Sequence, residues 1–245
     1  ELSWTAEQIA GWKKIHFVAC GTSHYATIVA AHIMETLGNF EIRTEVASEY
    51  RYRNIPIGPD TLAIFVSQSG ETADTLHAAR LAKAKGAKCL VITNVRSSTI
   101  HREVGDALIT PAGPEIGVAA TKTFTAQITV LTLLGMYLAK MRGELSPETE
   151  KRLTTALMDI PSKLASILTQ EKAIEQTFCA LNIPFQKCIT WTTDGFFRET
   201  RDMVEYRKSE GCATVEMECA ALAACAQKRG EWFISSRWHS SWTTT

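Results

Sequence analysis

The chain has 245 residues, 26 Lys and Arg balanced by 26 Asp and Glu, and 45% hydrophobic residues, so its formal charge is zero. Neutrality gives no electrostatic case for nucleic acid or an anionic membrane surface, and suits a small-molecule ligand. No run approaches the ~20 continuous apolar residues of a membrane span, and the start Glu1-Leu2-Ser3-Trp4 lacks the basic-then-apolar order of a secretory leader, so a cytoplasmic protein is expected.

The predicted elements alternate from the start. Ile15-His16-Phe17-Val18-Ala19 is a short apolar run of the kind buried on both faces of a parallel sheet, and a helical pattern follows over 23–37. Strands are expected again at 41–46, 61–66, 88–93 and 106–110, with helical patterns at 72–85, 98–104, 118–142 and 148–168. Pro147 marks the last helix start, with Ser146 as its N-cap and Thr149 or Glu150 close to the capping-box position. Such alternation predicts an α/β fold, a doubly wound parallel sheet in a flavodoxin-like three-layer sandwich over residues 1–170, with 171–245 as a short composite C-terminal segment. A chain of this length can bury one large core, or one core plus a smaller unit.

Two turns carry the chemistry. Cys20-Gly21-Thr22-Ser23 follows the first strand, and Ser67-Gln68-Ser69-Gly70-Glu71-Thr72 follows Leu62-Ala63-Ile64-Phe65-Val66. Each hydroxyl-rich turn precedes a helix whose first amides are unpaired and whose N-terminus carries about half a positive charge, so a phosphate can be held there without a lysine. Gly21 and Gly70 supply conformational freedom and leave room for an anion to approach the backbone. The competing reading, ordinary N-caps, fits either turn alone but is weaker for two in one sheet.

These motifs, with Ala47-Ser48-Glu49-Tyr50-Arg51-Tyr52-Arg53 and Glu115-Ile116-Gly117-Val118-Ala119-Ala120-Thr121-Lys122-Thr123-Phe124-Thr125, closely resemble the first sugar isomerase (SIS) domain of the glutamine-fructose-6-phosphate aminotransferase family. The resemblance covers residues 1 to about 170. It implies phosphate contacts from Ser67, Gln68, Ser69 and Thr72, with Ser23 nearby, and sugar contacts from Thr22 and the backbone of Val118. Ala120 departs from the pattern, since the family more often has Ser there. The implied ligand is fructose 6-phosphate or glucosamine 6-phosphate, in hexosamine biosynthesis, and the resemblance favours a homodimer. The family's catalytic glutamate, ring-opening histidine and lysine belong to a second isomerase domain and a tail, and its nucleophilic cysteine to a glutaminase domain. None is matched here, so no catalytic residue is assigned and the chain is expected to be catalytically incomplete. A non-catalytic SIS module that senses a sugar phosphate is the alternative within this family.

The remaining polar residues near these turns have plainer readings. His24 and His101 lie nearest the inferred site, but neither has a carboxylate partner visible in sequence. Lys122 either faces solvent or turns its charge toward the sugar, and spacing does not decide. Glu71 is read as first-turn helix stabilisation. The seven cysteines, including Cys20, show no C-x-x-C pair and no histidine at metal spacing, so they are read as reduced thiols and no metal or cofactor is called for.

Beyond residue 170 no strand–turn–helix of a second isomerase repeat is expected. Cys188-Ile189-Thr190-Trp191-Thr192-Thr193-Asp194-Gly195-Phe196-Phe197-Arg198-Glu199 and Thr214-Val215-Glu216-Met217-Glu218-Cys219-Ala220-Ala221-Leu222 instead resemble a fragment of the purine and uridine nucleoside phosphorylase family. That implies a nucleoside-binding remnant of Phe196, Met217 and Glu218, the carboxylate accepting from two vicinal hydroxyls. A nucleoside binder or phosphorylase built on this segment is therefore the alternative from another class. The last fifteen residues interleave Trp with Ser, end in Thr-Thr-Thr and fit neither family, so the chain reads as composite.

Overall fold

The computed structural model describes residues 2–113, 120, 122–168, 171–184, 189–192 and 200–216. They divide into two compact units, one spanning Glu1–Glu115 and Ala120–Thr155 and the other built on Ala156–Thr245.

The first unit is a five-stranded sheet of β1 (Lys14–Ala19), β2 (Glu41–Val46), β3 (Thr61–Val66), β4 (Lys88–Thr93) and β5 (Ala107–Ile109), in the order β2-β1-β3-β4-β5. Every pairing is parallel. β3 is buried along its whole length, β1 and β4 all but their first residue, and β2 and β5 at the edges are mostly half-exposed. The continuous apolar runs are therefore the inner strands, as burial on both faces requires.

Side-chain alternation splits the core into two layers. Ile15 and Phe17 of β1, Leu62 and Ile64 of β3, and Leu90 and Ile92 of β4 face one way, onto α1 (Ala6–Gly11), α2 (Gly21–Leu37) and α6 (Lys122–Met141) through Ile9, Met34, Leu131, Leu134 and Leu138. Val18, Ala63, Phe65 and Val91 face the other way, onto α3 (Ala47–Tyr50), α4 (Ala73–Ala84) and α5 (Thr99–Val104) through Tyr50, Ala78, Ala82 and Ile100. Gly135 lets α6 approach α2, since a Cβ there would stand 3.3 Å from Met34 Sδ and nearer still to Met34 Cγ. By length and composition α6 could cross a membrane. Here it is a core helix, with Leu131, Leu134 and Leu138 nearly inaccessible.

In the first unit the strands and major helices stand where the sequence reading puts them, and two short helices, α1 and α3, are added among the described residues. α1 is closed by a capping box, with Gln8 N donating to Thr5 Oγ1 at 3.2 Å and Thr5 N to Gln8 Oε1 at 3.0 Å. α7 (Pro147–Leu168) begins as expected, with Thr149 N donating to Ser146 Oγ at 3.2 Å.

In the second unit β6 (Ile189–Thr192) pairs in parallel with β7 (Cys212–Glu216), and α9 (Arg201–Ser209) lies between them in sequence. α8 (Glu171–Ala180) precedes β6. A strand, a helix and a second strand thus follow residue 188. The intervening sequence, Thr193-Asp194-Gly195-Phe196-Phe197-Arg198-Glu199, lacks the Ser-x-Ser-Gly-x-Thr pattern that follows β3.

His16 was not singled out in sequence, yet it is fully buried in β1, with Nδ1 3.1 Å from Tyr50 Oη and Nε2 unpartnered among the described residues. Burial lowers its pKa to about 4, with Arg43 and Lys14 acting in the same direction and Asp60 against it. The unfolded imidazole takes a proton near pH 6.5 and the folded one only near pH 4. The folded state is therefore penalised as pH falls through 6.5, and the full loss is reached near 4. We expect roughly 2 to 3 kcal/mol of stability to disappear across that window. Denaturant melts of the wild type and His16→Gln should show the difference between them varying between pH 6.5 and 4 and constant above 7.

Candidate functional site

β1 and β3 are neighbours, and their last residues Ala19 and Val66 stand opposite each other. From β1 the chain crosses outward to β2, and from β3 it crosses the other way to β4. The two hydroxyl-rich turns thus leave the carboxyl edge side by side, at the point where the strand order reverses. That is where open α/β sheets bind ligands.

The turn after β3 is tightly laced. Ser67, 3% exposed, accepts from Gly70 N at 3.0 Å, and its hydroxyl lies 3.1 Å from that of Thr72. Ser69 Oγ accepts from Glu71 N at 3.2 Å. The three hydroxyls of Ser67, Ser69 and Thr72 carry three donor hydrogens. One is used between Ser67 and Thr72, which leaves two for a ligand. The amides of Ser69, Thr72 and Ala73 have no partner among the described residues. Thr72 is the N-cap of α4, yet its side chain makes no cap bond, so the first turn of that helix keeps its unpaired amides. Uncharged donors therefore gather at a helix N-terminus, an arrangement with the chemistry to hold an anion.

The turn is held from behind by the neighbouring strand and helix. The Gln68 carbonyl accepts from Asn94 N at 3.0 Å and from Thr93 Oγ1 at 3.3 Å. Ile100 N donates to the Gly70 carbonyl at 3.2 Å, and Thr99 N donates to Glu71 Oε1 at 2.7 Å. Glu71 thus serves α5 and not the first turn of its own helix, a correction to the sequence reading. The helix begins two residues later, and the carboxylate reaches the donor nearer to it. Gly70 has φ +65°, and a Cβ there would collide with Ser98 and lie 2.9 Å from Thr93 Oγ1.

In the first turn Gly21 has φ +58° and Thr22 is exposed, while Ser23 is buried and accepts from Gln127 Nε2 of α6 at 3.0 Å. Val118 lies outside the described residues, as do Phe196, Met217 and Glu218 of the nucleoside reading. His24 is half-buried with Nδ1 unpartnered among the described residues, and His101 Nδ1 bonds the Arg96 carbonyl. Neither forms an ion pair among the described residues. Lys122 is the first residue of α6, and Cys20 is a half-buried free thiol. No group of three metal-ligating side chains occurs among the described residues. A cavity of about 310 Å³ opens elsewhere, between the later turns of α4 and α5, where Arg80 and Glu103 form a two-pronged ion pair at 2.7 and 2.5 Å.

The sequence reading missed Asn94. Its backbone holds the Ser67–Thr72 turn, while its side chain donates to the Gly113 carbonyl at 2.6 Å and accepts from Ala112 N at 3.2 Å and Thr110 Oγ1 at 3.3 Å. A polar residue directly after an apolar strand was the available signal.

Residues 8–137 match the family model of the SIS domain, over more than half of the chain, and the chain belongs to that family. Residues 146–239 match the model of the phosphorylase superfamily. The glutamine–fructose-6-phosphate aminotransferase (isomerizing) of Bradyrhizobium diazoefficiens is 49% identical over 164 residues, which are 67% of this chain and 27% of the relative. That of Methanosarcina acetivorans is 44% identical over 176 residues, 72% of this chain and 28% of the relative. The chain thus spans little more than a quarter of the length of these curated relatives. Among solved structures, the C-terminal domain of the Francisella tularensis glucosamine-fructose-6-phosphate aminotransferase superposes with a TM-score of 0.65 at 36% identity, covering 70% of this chain and 48% of that one.

Gly70→Ala tests the packing of the turn. Forcing a Cβ into the left-handed region costs about 1 to 2 kcal/mol, and the collision with Ser98 adds to it. A thermal melt should show a lowered transition for Gly70→Ala, recovered in part but not wholly by Ser98→Gly in the same chain.

Proposed function

We propose that the chain binds a hexose 6-phosphate, fructose 6-phosphate or glucosamine 6-phosphate, as the sugar-phosphate-binding part of a cytoplasmic isomerising aminotransferase of hexosamine biosynthesis. The observation that carries this reading is the turn Ser67–Thr72. It sets two hydroxyl hydrogens and several amides, unpaired among the described residues, at the switch point of the sheet. In this reading Ser69, Thr72 and the amides grip the phosphate, Ser67 shapes the turn, and Gln68 and Ser23 flank it. Thr22 and the backbone of Val118 meet the sugar. The reading is of binding and assigns no turnover to the chain. Division near residue 170 into a binding domain and a C-terminal segment, and pairing of two copies into a dimer, complete the proposal. The names of the relatives support the ligand class.

Calorimetric titration with fructose 6-phosphate, glucosamine 6-phosphate and, for contrast, uridine and inosine tests it. The sugar phosphates should bind and the nucleosides should not. Ser69→Ala and Thr72→Ala each remove a neutral donor to a charged group, worth about 1.5 to 3 kcal/mol, so affinity should fall roughly ten- to a hundredfold for each. Ser67→Ala leaves Gly70 N without its acceptor and should lower the melting temperature as well. Unchanged affinity in the Ser69→Ala, Thr72→Ala double variant would remove the reading.

A further inference from the structure

The Ser67–Thr72 turn is held by more than its own hydrogen bonds. Gly70 sits in the left-handed region, and the first helical turn of α4 begins only after Thr72. What lies behind the turn is the start of α5. Ser98, 1% exposed, packs on the Cα of Gly70 with its hydroxyl unpartnered among the described residues. Ile100 N ties off the Gly70 carbonyl. Between these two, Thr99 N meets the carboxylate of Glu71 at 2.7 Å. Arg102 sits behind that contact, donating to Thr99 Oγ1 at 2.9 Å and to the Ser97 carbonyl.

A carboxylate one residue from an anion-binding hydroxyl is an awkward choice for a phosphate site, because like charges repel. Its presence calls for a compensating role, and the geometry supplies one. Resting on the reading of the site given above, we infer that Glu71 is a positioning residue. Its side chain fastens the anion turn to the first amide of α5, so that Ser69, Thr72 and the free amides are set for phosphate before the ligand arrives. The bond to Thr99 N draws Glu71 below the usual carboxylate range, with the Thr99 side chain and the Arg102 charge helping, so the group is an ionised acceptor at neutral pH. Preorganisation of this kind raises affinity by reducing the ordering that binding would otherwise require.

The sign of the effect separates a brace from a bystander charge. If Glu71 only repels the ligand, both Glu71→Ala and Glu71→Gln bind phosphate esters more tightly than the wild type. If it is a brace, Glu71→Ala binds fructose 6-phosphate about tenfold more weakly, the scale of one lost hydrogen bond to a charged group, and Glu71→Gln, which keeps an acceptor oxygen at the same reach, restores binding. The donor can be deleted from the other side. Thr99 is the first residue of α5, where proline is well tolerated, and Ser98 before it is already extended at φ −65° and ψ 154°. Thr99→Pro should reproduce the loss, and the Glu71→Ala, Thr99→Pro double variant should be no weaker than either single one, as two ends of one bond require.

Titrating fructose 6-phosphate into the wild type and these four variants, with melting curves alongside, decides the matter. A wild type that binds and a Glu71→Ala that binds equally or better overturns the inference while leaving the site standing. Equal weakening by Ala and Gln, or a Thr99→Pro that binds like the wild type, overturns it too. A wild type that binds no hexose phosphate defeats the reading of the site itself. Should Glu71→Ala fail to fold, Thr99→Pro and Glu71→Gln carry the same comparison.

Discussion

Parallel pairing of β1 with β3 is the constraint on which the site depends. Two strands separated in sequence by a complete crossover are brought edge to edge, and each sends the chain away on a different side. Parallel strands all end at the same edge, so the helix N-termini that follow them face the same water. Had β1 paired with β2 alone, the turns at 20–23 and 67–72 would each remain an ordinary helix start. Side by side they bring backbone amides and hydroxyls to one edge of the sheet.

The choice of uncharged donors follows from the same placement. A helix N-terminus already carries partial positive charge, and at a sheet edge backed by a dry core that charge is poorly screened. Hydroxyls then add direction and reach, and the chain can remain neutral overall. The cost is conformational. The turn needs a left-handed residue at Gly70, a buried serine spent on internal bonding at position 67, and bracing from Thr93, Asn94 and the start of α5. Most of the polar residues around the site thus hold the turn, and only a few remain available to a ligand.

Periodicity made the scaffold legible because burial on both faces leaves a continuous apolar run that few other structures need. Leu62 to Val66 and Lys88 to Thr93 declare themselves in this way, and Pro147 after Ser146 declares a helix start. α1 was overlooked although Thr5 and Gln8 form a capping box, since six residues are too few to show a period. The second unit gave a weaker signal, because Ile189–Thr192 and Cys212–Glu216 are short and mix apolar with polar residues without a long run. A strand–helix–strand pattern after residue 188 therefore went unread.

By itself the amino-acid sequence determined the five strands and the longer helices of residues 14–168, that the inner strands are parallel, and that two hydroxyl-rich turns face one edge. These follow from local rules of spacing, capping and burial. Tertiary structure alone decided what each polar group does there. Ser67 turned inward, Ser23 was claimed by Gln127, Glu71 crossed to α5, and His16 lost its charge in the core. Such roles depend on which donor lies within about 3 Å, and that distance is set by packing between residues far apart in the chain.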